Sequence, residues 1–328
     1  MTTLMLSLTV SFVLTLVALM WLLHGGLGHM AMDQPNQRSL HAHPIPRTGG
    51  LALMFGVMLS WLAVQAPMNW MMLPLLVGLL AVSFLDDLRD LSAAWRFLAH
   101  FVVAGIFALF GVTHGLNYVG IGVLVLTIVW VTNLYNFMDG SDGLAGGMTL
   151  FGFGCYAIAA WLAGDVGLTV TTLPIAAAAM AFLLFNFHPA KIFMGDAGSI
   201  PLGFLAAALG LLGWQRGDWP LWLPLLVFSP FIVDATVTLL KRLLRGEKVW
   251  QAHRSHYYQR LVQMGWGHRN TALAEYGLMA AAGSSALWLM HQSWRVQVAG
   301  LLCWGLVYWR IALLIDRKWL TNAKLGQY

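Results

Sequence analysis

With 9% charged residues, 59% hydrophobic residues and a mean hydropathy of +0.72, this chain of 328 residues is far too oily for a water-soluble globule, in which about 25% of residues are charged. Apolar runs of about 20 residues, enough to cross a bilayer, recur along the whole length, so a single integral membrane domain over 1–328 is expected. The formal net charge of +5 comes mostly from the stretch between Lys241 and Arg269, a basic segment that suits a membrane surface.

In chain order the apolar windows fall at about 4–23, 49–66, 70–85, 95–112, 117–133, 146–163, 167–186, 199–214, 220–240, 271–290 and 296–314. The third and eighth are short, so ten or eleven spans are expected. Met1 to Leu23 lacks a basic leader and a small-residue cleavage site, so it reads as a retained first span. Cys155 and Cys303 each sit in an apolar run with no second thiol at ligand spacing, and fit small buried residues. Lysine and arginine concentrate in the connections after spans 1, 3, 5, 7 and 9 and in the C-terminal tail. By the positive-inside rule these face the cytoplasm and the N-terminus lies outside. Most acids share that face, with only Asp165 and Asp218 in the outer connections. Acids contribute little to topology, so the inner carboxylates need another explanation.

Four polar constellations stand on that face. "FLDDLRD" closes the third span with Asp86, Asp87 and Asp90; two of the three can share a helical face, where like charges repel unless a cation or protons neutralise them. A solvated loop would also tolerate the trio. "NLYNFMDGSDGLAGG" repeats Asn133, Asn136 and Asp139 at intervals of three and adds Asp142 in a glycine-rich turn. Amide and carboxylate oxygens beside close-approaching backbone suit a hard cation or a phosphorylated ligand; an amide-capped helix end is the plainer account. "NFHPAKIFMGDAGS" places Lys191 and Asp196 in a loop before the eighth span, where small residues leave N–H groups for an anion and Asp196 could hold Mg2+ or simply cap the helix. "KRLLRGEKVWQAHRSHYYQRL" brings Arg242, Arg245, His253, Arg254 and His256. With no second histidine cluster to complete a shell, zinc is not expected; arginine forks and imidazole donors suit phosphate oxygens. The first inner loop, "DQPNQRSLHAHPIPRTGG", adds His41 and Arg47 among prolines that give it shape.

These motifs, in this order over residues 33–261, resemble the polyprenyl-phosphate N-acetylhexosamine-1-phosphate transferases, the bacterial glycosyltransferase family 4. The resemblance implies an all-α bundle of ten or eleven transmembrane helices with a cytoplasmic active-site cleft, in the bacterial inner membrane. It implies transfer of an N-acetylhexosamine 1-phosphate (GlcNAc, FucNAc, QuiNAc or a similar sugar) from a UDP-sugar to undecaprenyl phosphate. UMP is released and the lipid-linked sugar starts O-antigen, lipopolysaccharide or a related surface glycan. Asp86 and Asp87 match paired acids near the lipid phosphate. Asn136 and Asp139 match residues lining the nucleotide site, with Asn133 and Asp142 beside them. Asp196 matches the Mg2+ ligand, with Asn136 as its companion and Mn2+ as the alternative ion, and Phe193 matches an aromatic on uracil. Lys191, Arg242 and Arg245 match phosphate-facing bases, and Arg254, His41 and Arg47 are expected to join them. The candidate catalytic set is Asp86, Asp87, Asp196 and His256. Where many members carry adjacent histidines in the last inner loop, this chain reads His253, Arg254, Ser255, His256, a departure that argues against the peptidoglycan member. Membrane lipid is an expected partner and nucleic acid is not; a homodimer is left open.

A phosphomonoester has a second pKa near ~6, so the lipid phosphate is mostly dianionic at cytoplasmic pH and needs no general base. The difficulty is bringing two anions together, which Mg2+ and arginines offset. Direct attack and a two-step route through an aspartyl phosphate both remain open. The rival from another class is a multi-span secondary transporter, which tends to place ionisable groups near the bilayer midplane; here Asp234, Glu275 and Arg310 are the only charges within or near spans.

Overall fold

The computed structural model describes residues 1–25, 30–33, 44–67, 71–112, 117–251 and 253–324. Arg38, His41 and His43 lie outside the described residues. The chain is built from α1 (Thr2–His24), α2 (Gly49–Ala63), α3 (Met72–Arg89), α4 (Ala93–Gly111), α5 (Tyr118–Phe137), α6 (Leu144–Ala163), α7 (Val166–Asn186), α8 (Asp196–Arg216), α9 (Trp222–Val227), α10 (Ser229–Leu244), α11 (Tyr257–Leu261), α12 (Gly267–Leu289) and α13 (Trp294–Lys324). One two-residue antiparallel ladder joins β1 (Met32–Asp33) to β2 (Ile45–Pro46). This is the expected all-α polytopic membrane fold, and every apolar window falls on a helix.

Among the described residues, seven helices, α1, α4, α5, α6, α7, α8 and α13, are long and apolar enough to cross a membrane. The other windows fall on helices that are shorter or more polar. α3 carries Asp86, Asp87 and Arg89 in its last turn, and the ninth window is two helices, α9 and α10, divided at Phe228 with Pro230 at the start of the second. Proline lacks the N–H that would continue the first helix and tolerates the first turn of the next. The last helix runs to Lys324, ten residues beyond the apolar window. Its polar extension is invisible to hydropathy because helical bonding continues into water.

At the centre is α8, whose apolar stretch is 94% buried and which packs on α5, α3 and α2. Lipid tails supply no hydrophobic force between helices, so small residues that let backbones approach matter most. At Gly50 of α2 an added Cβ would stand 2.3 Å from Gly198 Cα of α8, so the two helix starts touch through glycine alone. Two polar side chains tie helices together at α7: Ser11 Oγ donates to Pro174 O at 2.7 Å and Trp61 Nε1 to Thr171 O at 2.8 Å, beside the proline that interrupts the ladder of α7. The result is a tightly seated α8 whose N-terminus meets the connections after α3 and α5.

Candidate active site

The N-terminus of α8 collects the acids. Asp87, in the last turn of α3, accepts from Asp196 N–H at 3.3 Å and from Ala197 N–H at 3.1 Å. Asp139, just past α5, accepts from Gly195 N–H. Three successive amides, which the sequence left free for an anion, are thus held by carboxylates of the protein, where the helix dipole favours negative charge. Gly195 makes this possible: its φ is +71° and a Cβ there would lie 2.2 Å from Arg47 O, a conformation and a contact open only to glycine. The neighbouring backbone is tied to the first inner loop, with Phe193 N–H donating to Pro46 O at 2.7 Å, Gly49 N–H to Phe193 O at 2.9 Å and Gly50 N–H to Met194 O at 2.8 Å.

Asp196 itself is differently placed. The Asn136 amide donates to its carboxylate, and the Asp86 carboxyl lies against it. Arg96 Nη1, 3.0 Å from Asp86 Oδ2, reaches Asp196 Oδ2 only at 3.7 Å. Arg47 flanks the other acid, with Nε 3.5 Å from Asp87 Oδ1 and Nη2 donating to Asp87 O at 2.8 Å. Four carboxylates from three connections therefore crowd one helix end with two guanidiniums among them. Burial first, and then the neighbouring Asp196, Asp87 and Asp33, push the Asp139 carboxyl well above the ordinary carboxylate range. Asp90, third of the trio, adopts a left-handed cap at φ +47°, its N–H donating to Asp86 O at 2.9 Å, and is exposed where the other two are buried.

The remaining expected residues sort by their contacts. Asn133 turns into the bundle one helical turn below Asn136, donating to Val129 O at 2.7 Å and meeting His100 Nδ1 at 3.2 Å. Asp142 accepts from His188 Nδ1 at 2.7 Å and Ala190 N–H at 3.2 Å, with His268 Nδ1 at 3.7 Å; the two imidazoles stack at 5.6 Å. Phe193 is half-buried, whereas Lys191 and Arg254 are exposed. Arg242 and Arg245 meet Glu247 at 3.2 and 3.8 Å, so both have a partner in their own loop.

His256 is brought back to the site by Asp234. Asp234 Oδ1 meets His256 Nδ1 at 3.2 Å and accepts from Tyr257 N–H at 2.9 Å, while Oδ2 accepts from Tyr258 N–H at 3.0 Å. Tyr258 OH donates to Phe137 O at 3.2 Å, and the His256 ring stacks on Phe137 at 6.4 Å, which sets the histidine beside the end of α5, where Asn136 lies in the last turn and Asp139 follows the helix. Its neighbour His253 is pushed down to about 4 by burial and by His256 and Arg242, so it stays neutral at neutral pH. Arg96, Asp234, His188 and His268 were not among the expected site residues. Asp234 had a signal, since an acid inside an apolar helix needs partners; the other three gain meaning only from tertiary contacts.

The oxygen chemistry fits a hard divalent cation. Among the described residues no three His, Cys, Asp or Glu side chains stand close enough to enclose an ion by themselves. Mg2+ is commonly held by one or two carboxylates with substrate phosphates completing its shell, and Asp196 with Asn136 offers a set of that kind.

The family model of glycosyl transferase family 4 matches residues 69–213, the stretch from α3 to α8 that supplies the acids. A probable undecaprenyl-phosphate N-acetylglucosaminyl 1-phosphate transferase of Bacillus subtilis (strain 168) is 34% identical over 263 residues, covering 75% of this chain and 74% of that one. A decaprenyl-phosphate N-acetylglucosaminephosphotransferase of Mycobacterium tuberculosis (strain CDC 1551 / Oshkosh) is 29% identical, with 78% of this chain and 76% of that one covered. A phospho-N-acetylmuramoyl-pentapeptide-transferase of Staphylococcus aureus (strain MSSA476) is 25% identical, with 87% and 97% covered. With its acids gathered at one helix end and relatives of this kind matched over most of its length, the chain belongs to glycosyl transferase family 4.

Proposed function

We propose that this protein transfers an N-acetylhexosamine 1-phosphate from a UDP-sugar to undecaprenyl phosphate and releases UMP. The observation that carries the reading is the convergence of Asp86, Asp87, Asp139 and Asp196 on the start of α8. The names of the relatives support the acceptor and the sugar phosphate. N-acetylglucosamine is the first sugar to test, and a cell-surface glycan, O-antigen or lipopolysaccharide among the candidates, is the product served. The acidic end faces the cytoplasm of a bacterial inner membrane, consistent with the lysine and arginine bias of its connections.

Asp196 and Asn136 would hold Mg2+, or Mn2+, which neutralises the diphosphate of the donor when bound. Asp139 and Phe193 line the nucleotide side. Asp86 orients Arg96 and Asp87 orients Arg47, leaving further guanidinium donors for the oxygens of the lipid phosphate. A lipid-phosphate oxygen attacks the β-phosphorus, the bond from that phosphorus to the bridging oxygen breaks, and UMP leaves with the electron pair. The dianionic lipid phosphate gives up no proton, so the arginines act by holding two anions in line. His256, held by Asp234, is placed to donate to a phosphate oxygen.

Purified protein with undecaprenyl phosphate should exchange labelled UMP into UDP-N-acetylglucosamine only when a divalent cation is present. A transporter supports no such exchange, and its absence across a panel of UDP-sugars would remove the reading.

A further inference from the structure

The loop that presents His256 is held from two sides. On one side stands Asp234, which takes the His256 ring and the next two amides. On the other stands Asp316, on the polar extension of α13 and outside every motif behind the family resemblance. Arg260 Nη1 donates to Asp316 Oδ1 at 2.8 Å, Tyr257 OH donates to Oδ2 at 3.3 Å, and Lys241 Nζ also donates to Oδ2. Arg260 passes the constraint on, since its Nε donates to Ser255 O at 2.8 Å, the carbonyl immediately before His256. Its guanidinium also covers the Tyr257 ring at 5.2 Å and the Trp319 ring of α13 at 5.6 Å.

An exposed ion pair would contribute little, but the Arg260 side chain is only 6% exposed and that of Asp316 22%. Removing one partner of such a pair leaves a buried charge without compensation, and here the charge is the one that fixes Ser255. We propose that Asp316 is a positioning residue for His256: it fixes Arg260, which fixes the Ser255 carbonyl, while the Tyr257 ring is clamped between Lys241 and Arg260. The histidine then enters the site in one orientation. This rests on the reading of His256 as a group that meets a substrate phosphate.

The full-length chain is assayed with undecaprenyl phosphate, UDP-N-acetylglucosamine and Mg2+, beside amide hydrogen exchange over residues 255–261. Asp316→Asn should lower kcat by about tenfold or more, the size of effect expected from a small misplacement of a reacting group, with KM for the nucleotide sugar within about threefold. Exchange at 255–261 should accelerate. In a His256→Ala background the same substitution should cost less than about twofold, because the group it positions is gone. Asp316→Glu keeps the charge and should recover most of the turnover, which separates positioning from loss of folded protein. Unchanged exchange at 255–261, unchanged kcat, or a full tenfold loss that persists without His256 would each overturn the assignment. If the unsubstituted chain shows no turnover, the proposed function fails, and hydrogen exchange still decides whether Asp316 holds the loop.

Discussion

Asp234, inside α10, and Asp196, at the start of α8, are both aspartates on helices of the same bundle, yet their surroundings are opposite. Asp234 is closed: Thr238 Oγ1, His256 and the amides of Tyr257 and Tyr258 supply donors to its two oxygens. Asp196 is open: its neighbours are one amide, another carboxyl and an arginine at 3.7 Å. A carboxylate filled by its own chain builds structure, because each buried charge must be matched by donors. A carboxylate set among other carboxylates gains most from a cation that arrives with the substrate. The same distinction separates Asp87, whose oxygens take α8 amides, from Asp196, whose backbone those bonds hold in place.

The two acids should therefore fail differently when changed. Asp196→Asn should lower turnover by about 10²–10³-fold, the scale of losing one main electrostatic contact in a transition state, while leaving melting behaviour in cation-free buffer unchanged or improved. Asp234→Ala should instead destabilise by roughly 2–3 kcal/mol, since its buried donors lose their acceptor together, and should also lower the turnover of the molecules that stay folded, because His256 loses its anchor. Thermal melting and turnover measured on both variants check this; a turnover defect in Asp234→Ala with unaltered melting would blur the contrast.

Asp139 sharpens it through pH. Its carboxyl titrates well above the ordinary value of 3.8 in the folded chain, so the unfolded chain loses that proton first as pH rises. Without divalent cation, the contribution of Asp139 to stability is full below about pH 3.8 and falls as pH climbs toward the raised folded value. Asp139→Asn, which keeps an acceptor for Gly195 N–H but cannot ionise, should flatten that decline. A melting temperature with the same pH slope in both chains would count against crowded charge at the site.

The smallest effect belongs to the far end of the bundle. There Asp165 caps α7 through Leu168 N–H at 2.7 Å and meets Arg216 at 2.8 Å. Arg216 is 37% exposed, so Arg216→Gln should cost under about 1 kcal/mol and leave turnover unaltered.

Much of the fold was legible because a bilayer imposes length and apolarity on every span. The break at Phe228 and the reach of α13 to Lys324 were not, since one depends on how a proline meets its neighbours and the other on helix that continues into water. At the site, the acids stood out against an oily background. Their partners did not: Asn133, Asn136 and Asp139 recur at intervals of three, but α5 ends at Phe137, which frees Asp139 to reach Gly195 while Asn133 stays with His100. Arg96 lies ten residues from Asp86, a separation that says nothing until α3 and α4 fold back on each other.

Binding of Mn2+ to the purified chain, followed by its paramagnetic resonance with and without UMP, addresses the central claim most directly. One ion per chain whose affinity rises with UMP and is lost in Asp196→Asn, but kept in a correctly folded Asp234→Asn, is the predicted result. Mn2+ binding that is indifferent to Asp196 would contradict it.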